Sequence, residues 1–186
     1  GAQLSLTVGL IGITVSFALG IFFGAIAGYF GGKTDWIVNR AIEILRSLPE
    51  LPLWLALSAA VPSNWGPVAV FFVISVILGI LDWPGLARAV RAKFLSLREE
   101  EYVRAAEMMG ARPGRVIRRH MLPNFMSHLI ASATLSIPAM ILGETALSFL
   151  GLGLRAPAVS WGVMLNDAQN LASIEIYWWT AIPMLP

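Results

Sequence analysis

No cysteine occurs among the 186 residues, which excludes a disulfide framework, a thiolate nucleophile and any cysteine-ligated metal. Charge is scarce as well, with only 13% of residues being Asp, Glu, Lys or Arg. The two histidines, His120 and His128, have no cluster of carboxylates beside them, so the pattern of a metal site is missing. No serine has a base and an orienting partner that the sequence can place, so no catalytic constellation emerges. There is no basic leader followed by a short apolar core and a cleavage site. The first apolar segment is therefore expected to be a span rather than a signal peptide. The chain opens on Gly1-Ala2 and closes on Met184-Leu185-Pro186 inside an apolar run, and is expected to be a piece of a longer protein.

What is present is grease. Hydrophobic residues make up 57% of the chain and the mean hydropathy is +0.73, a balance that places it in a membrane. The net charge of +2 does not argue for nucleic acid. Between Arg88 and Arg119 there are nine basic and four acidic residues, and such an excess marks the cytoplasmic side of a membrane protein. We expect a single all-α domain over 1–186, a polytopic membrane helix bundle. Its spans should cover about 4–30, 36–61, 68–87 and 125–150, with another starting at 177–186. A cytoplasmic loop should occupy about 88–123.

Within the first span, Gly12, Ser16, Gly20, Gly24 and Gly28 recur every four residues, a small-residue face that lets another helix approach closely in lipid. Gly20, Gly24 and Gly28 are its core, and the partner is either another helix of this chain or a second subunit. In the second span Arg40, Glu43 and Arg46 should pair near the interface, and Pro49 and Pro52 should bend it. In the third, Asp82-Trp83-Pro84-Gly85 should mark the polar end, with Pro84 as a kink or break. In the fourth, Ser132, Thr134, Ser136 and Pro138 interrupt the apolar run. A proline there frees a carbonyl that must be satisfied again, as on a helix lining a pathway. Glu144 is the one ionisable residue of that span and needs a partner, water or a proton. It either meets a cationic end of a solute or has a structural role near the outer end. The stretch 151–176 should be an outer loop, followed by an interfacial Tyr177-Trp178-Trp179.

One match misleads. Ala27, four residues, then Gly32-Lys33-Thr34 imitates a phosphate-binding loop. A real one joins a strand to a helix N-terminus, whereas here a long apolar helix precedes it. Gly31 and Gly32 are better read as a helix C-cap and turn, so this chain is not expected to bind or hydrolyse ATP.

The run from Arg98 to Asn124 is the polar island of the chain. Leu95, Tyr102, Ala106 and Met109 should form one stripe of an amphipathic helix, with Glu100 and Arg104 paired on the opposite face. Gly110 breaks the pattern, and Pro113 suits the first position of a second short helix.

Arg104-Ala105-Ala106, Gly110 three residues on, and His120-Met121-Leu122-Pro123 beyond nine more resemble the "EAA" loop of ABC-importer permease subunits. Arg104 stands where that loop usually has Glu, and His120 where it often has Ile. The ending Arg119-His120-Met121-Leu122-Pro123-Asn124 is similar to the dipeptide, oligopeptide and nickel branch. So are Gly28-Tyr29-Phe30-Gly31-Gly32, the run Glu144 to Gly153, and Ser160-Trp161-Gly162.

The resemblance implies the fold of a type I ABC-importer permease in the inner membrane, with no cofactor and no metal. It implies that Tyr102, Val103, Arg104, Ala105, Ala106, Met109, Gly110, Ala111 and Arg112 contact an ATP-binding-cassette ATPase subunit that supplies the energy. A second permease subunit, identical or related, and an extracytoplasmic solute-binding protein are the other implied partners. Di- or oligopeptides are the implied solutes, with nickel as the alternative. A carrier driven by an ion gradient would show inverted repeats and mid-membrane ionisable groups; no internal repeat is visible.

Overall fold

The computed structural model describes residues 2–62, 64–154 and 157–169, and every element among them is helical. Helix α1 (Ala2–Phe30) runs 29 residues without a charge or a proline to stop it. It ends where Gly31 takes φ 64°, a conformation that costs glycine nothing. Helix α2 (Gly32–Ser47) follows at once.

The span expected over 36–61 is in fact two helices. Leu48 is extended, at φ −89° and ψ 137°, because the ring of Pro49 crowds the α conformation of the residue before it. Helix α3 (Glu50–Ala59) then starts afresh with Pro52 in its first turn, where a missing N–H is harmless. At 16 and 10 residues, neither is long enough to cross the bilayer alone.

Helix α4 (Pro67–Leu97) passes straight through Pro84 and continues for 31 residues. Residues 88–97, expected in the loop, are therefore helix, and the loop begins only at Arg98. The good helix formers of Leu86-Ala87-Arg88-Ala89 carry the backbone on once the proline is accommodated. Beyond it lie α5 (Glu101–Met108) and α6 (Pro113–Val116). A π turn over Ile117–Met121 and a 3₁₀ turn over Pro123–Phe125 lead into α7 (Met126–Phe149), which contains Pro138. A short α8 (Trp161–Asp167) comes last among the described residues. Three helical stretches are long and apolar enough to cross a membrane: Gln3–Phe30, Pro67–Leu97 and Pro113–Phe149. The span expected at 177–186 lies outside the described residues.

The chain forms two compact units. One comprises Gly1–Thr14, Pro49–Ile80 and Ser136–Pro186; the other comprises Val15–Leu48 and Leu81–Leu135. In the first, Glu144 is fully buried and both its carboxyl oxygens are satisfied. Ser5 Oγ donates to one at 3.0 Å and Ser148 Oγ to the other at 2.7 Å. The same serines accept from backbone farther along, Ser148 from Leu154 N–H at 2.9 Å and Ser5 from Trp161 N–H at 3.3 Å. Ser160 caps α8 by accepting from Val163 N–H. Glu144 thus joins α1, α7 and the segment after α7, and its side chain faces this core instead of a pathway.

In the second unit the glycine face of α1 meets α4. A Cβ added to Gly20 would stand 2.9 Å from Leu86 Cβ, one on Gly24 2.6 Å from the Ala87 carbonyl oxygen, and one on Gly28 2.5 Å from Phe94 Cβ. The partner of this face is therefore a helix of the same chain. Buried Val90, Phe94 and Leu97 continue the packing toward Val103, Ala106, Val116, Met121 and Phe125.

Replacing Gly28 by leucine forces apart two backbones in contact, so it should lose at least the roughly 1–3 kcal/mol typical of overpacking. Thermal unfolding in detergent, followed by size-exclusion fluorescence, should show a lower midpoint for Gly28→Leu. Gly114→Ala, where an added Cβ meets nothing within 4 Å, should leave the midpoint unchanged.

Candidate functional site

The loop between α4 and α7 is a rigid object. Glu99 N–H and Glu100 N–H donate to Ser96 and Leu97 carbonyls, closing the turn that ends α4. Leu95 therefore belongs to a different helix from Tyr102. The expected stripe does not form: α5 buries Val103 and Ala106 instead, while Tyr102 and Met109 are exposed.

Ala106 is only 2% exposed, against 83% for Met108 and 82% for Met109. Val103 and Ala106 thus spend their surface on the chain's own core and have none to offer a partner. The outward face of the loop is made of Tyr102, Arg104, Met108, Met109, Gly110 and Arg112, with Ala105 and Ala111 half-exposed.

Gly110 takes φ 80°, which lets α5 stop and the chain reverse; an L side chain there opposes the turn. Pro113 then opens α6 at a position that needs no N–H. The Asn124 side-chain amide closes the motif, donating to Tyr102 Oη at 2.6 Å and to the His120 carbonyl at 3.3 Å.

Polar contacts pin the loop to the ends of α1 and α4. The expected Glu100–Arg104 pair is replaced by Glu99 and Arg104, with Arg98 on the same carboxylate. The turn at Glu100 carries its side chain elsewhere. The hydrogen bond from Arg104, and then its charge, hold the Glu99 carboxyl below the usual carboxylate range.

Tyr29, at the end of α1, donates its hydroxyl to Glu107 at 2.6 Å. Asp35, in the first turn of α2, receives both Nε and Nη2 of Arg91 on α4 and the Asn39 amide at 2.7 Å. Hydrogen bonding from Arg91 lowers the Asp35 pKa, and burial only partly opposes it. Arg40 pairs with Glu43 at 3.0 Å. By contrast Arg112, Arg115, Arg118 and Arg119 make no ion pair among the described residues and line an open cavity of about 770 Å³.

The polar residues expected on the fourth span divide. Ser132 and Ser136 are half-buried, while Thr134 and Pro138 are exposed, and the Thr134 hydroxyl returns to the Ile130 carbonyl at 3.0 Å. Glu144 does not join them. Sequence reading also missed Asp35 with Arg91, Tyr29 with Glu107 and Ser16 with Asp82. The one available signal was that isolated charges near span ends seek partners.

Because the Asp35 pKa is depressed in the fold, its contribution to stability is present above the ordinary aspartate value of about 3.9. It is lost as pH falls through the lower folded value. Asp35→Asn should therefore lower the thermal midpoint at pH 7, and the gap to the unsubstituted chain should shrink as pH drops below about 4. A pH series of melting curves measures it; a gap that stays constant to pH 3 would refute the assignment.

Residues 20–186 match the family described as the binding-protein-dependent transport system inner membrane component. The chain is 41% identical over 179 residues to the dipeptide transport system permease protein DppC of Bacillus subtilis, covering 96% of this chain and 54% of that protein. It is 39% identical to the oligopeptide transport system permease protein OppC of Haemophilus influenzae, covering 98% and 56%. For OppC of Bacillus subtilis the identity is 35%, covering 96% and 56%. The chain thus spans about half the length of the curated relatives it matches. With three stretches able to cross a bilayer and a family match over most of its length, the chain belongs to the inner membrane components of binding-protein-dependent transport systems.

Proposed function

We propose that the chain is the membrane-spanning part of a permease subunit in an ATP-driven importer, and that di- or oligopeptides are its solutes. The observation that carries the coupling role is the outward ridge of α5. Two adjacent methionines stand more than four-fifths exposed on a helix whose other face is locked into a core. Methionine is adaptable and favours such contact surfaces, and large exposed apolar side chains grouped on one element mark an interaction site. An ATP-binding-cassette ATPase is the partner proposed for this ridge, with Tyr102, Arg104, Ala105, Gly110, Ala111 and Arg112 around it.

The mechanism follows from the packing beneath. Val103 and Ala106 share one core with Phe94 and Leu97 of α4 and with Val116, Met121 and Phe125 ahead of α7. Close-packed interiors transmit displacement rather than absorb it. A push on α5 by closing ATPases is therefore passed to the inner ends of α4 and α7, which rock and alternate access. A second permease subunit completes the pathway, and an external binding protein delivers the solute. Ser132, Thr134, Ser136 and Pro138 of α7 are proposed to face that pathway, Glu144 not. The peptide titles borne by the relatives favour peptides over nickel.

Met108→Asp with Met109→Asp places charge on the contact surface without touching the core, so the chain should insert and fold normally. Burying those carboxylates unpaired against a partner is costly. ATPase association, measured by co-purification in mild detergent, should weaken about tenfold or more, and solute uptake should fall with it. Undiminished association and uptake would refute the coupling role. Ala106→Asp does not serve this purpose, because it breaks the chain's own core.

A further inference from the structure

Asp82 is the sixteenth of the 31 residues of α4, and Ser16 is the fifteenth of the 29 residues of α1. The two meet at the midpoints of both helices, with Ser16 Oγ donating to Asp82 Oδ2 at 2.9 Å. If Val68 marks the outer edge, the roughly 30 Å hydrocarbon core is crossed in about 20 residues at ~1.5 Å each. That puts the inner edge at Arg88 and leaves Asp82 about 9 Å inside it. The continuation of α4 through Pro84 creates this situation; on a helix ending there, Asp82 would be an interfacial group.

A carboxylate at such depth is costly against lipid, and is kept where it faces a bundle interior or water. A structural carboxylate is buried and satisfied on both oxygens, as Glu144 is. Asp82 is neither: it is exposed, accepts one hydrogen bond and has no ion pair among the described residues. Ser16, which orients it, is fully buried and holds the carboxylate on one side, leaving its remaining lone pairs open.

A cation stands close by. The guanidinium of Arg46, at the end of α2, lies 3.6 Å from where a Cβ on Gly85 would be. Gly85 is three residues on from Asp82 and so adjoins it on the helix surface. Arg46 is exposed as well, and makes no ion pair among the described residues. An acid on α4 and a base on α2, both beside Gly85 and neither in an ion pair among the described residues, present opposite charges to a single visitor. No group of three or more metal-holding side chains occurs among the described residues, so the acid lacks the company a divalent cation requires.

We propose that Asp82 and Arg46 form a polar subsite on the solute pathway that takes a zwitterionic solute, its ammonium on Asp82 and its carboxylate toward Arg46. This rests on the importer reading above and names the residues that hold the solute. It also accounts for the depth: the charges are shielded by water when the path is open and by the solute when it is occupied.

The test uses the complete importer in proteoliposomes, with any other cysteines replaced. The Asp82→Cys variant should react with a charged, water-soluble thiol reagent, and the unsubstituted importer should take up a free dipeptide about tenfold faster than its N-acetylated form, a preference that Asp82→Asn removes. Asp82→Asn should lower dipeptide uptake about tenfold, the loss expected for a charge-assisted hydrogen bond, and Asp82→Glu should restore most of it. Arg46→Gln should remove the discrimination against a C-terminally amidated dipeptide.

Reaction of the Asp82→Cys variant with a lipid-soluble maleimide alone would place Asp82 against lipid or a sealed subunit contact and overturn the proposal. Equal loss of uptake of free and N-acetylated dipeptide in Asp82→Asn would overturn the ammonium assignment. Absence of dipeptide uptake by the unsubstituted complex would instead overturn the peptide reading, a result separate from the labelling pattern.

Discussion

The second unit depends on the direct approach of two backbones, α1 on α4. Lipid offers no hydrophobic drive for helices to associate, so contact must come from dispersion at short range. Glycine at positions 20, 24 and 28 supplies it by removing every Cβ that would intervene. With α1 seated this closely, Ser16 reaches Asp82 and Tyr29 reaches Glu107. On the other side of α4, Arg91 holds the first turn of α2 through Asp35. The loop's core then grows from the end of α4, beginning at Phe94 and Leu97.

Charge is distributed economically over this frame. Where an ionisable group has a structural task it is fully engaged: Glu144 by two serines, Asp35 by a two-pronged guanidinium and an amide, Glu99 by two arginines. The groups left without ion pairs are of another kind. Arg112, Arg115, Arg118 and Arg119 gather around one open cavity on the loop. Asp82 of α4 and Arg46 of α2 both stand beside Gly85.

Much of this was legible from residue order. The small-residue face of α1, the turn at Gly110, the helix start at Pro113 and the general siting of the polar loop all follow from local rules of backbone freedom and side-chain size. Other features were not legible for definite reasons. The span holding Pro84 was expected to stop near 87, with the proline as a kink or break, because proline disrupts helices in water; within an apolar bundle, neighbouring groups make up for the lost hydrogen bond. The stripe on α5 was misread because Leu95 was counted on the same helix, and the resemblance assigned to a partner contact an Ala106 that the fold buries. Glu144 and Ser5 are 139 residues apart, Asp82 and Ser16 are 66 apart, and nothing in their local contexts links them.

By itself, then, the sequence determined that the chain is helical, resides in a membrane and gathers much of its basic charge in one loop. These properties depend on composition and on short-range periodicity, which survive without any knowledge of contacts. The tertiary structure decided which side of α5 is spent on the core and which is free. It also decided that the glycine face is consumed within the chain, that Glu144 is an anchor, and that Asp82 is exposed with a single hydrogen bond from Ser16. The reason is that a side chain's role in a membrane bundle depends on whether its lone pairs and methyl groups already have partners. Those partners come from helices far apart in sequence.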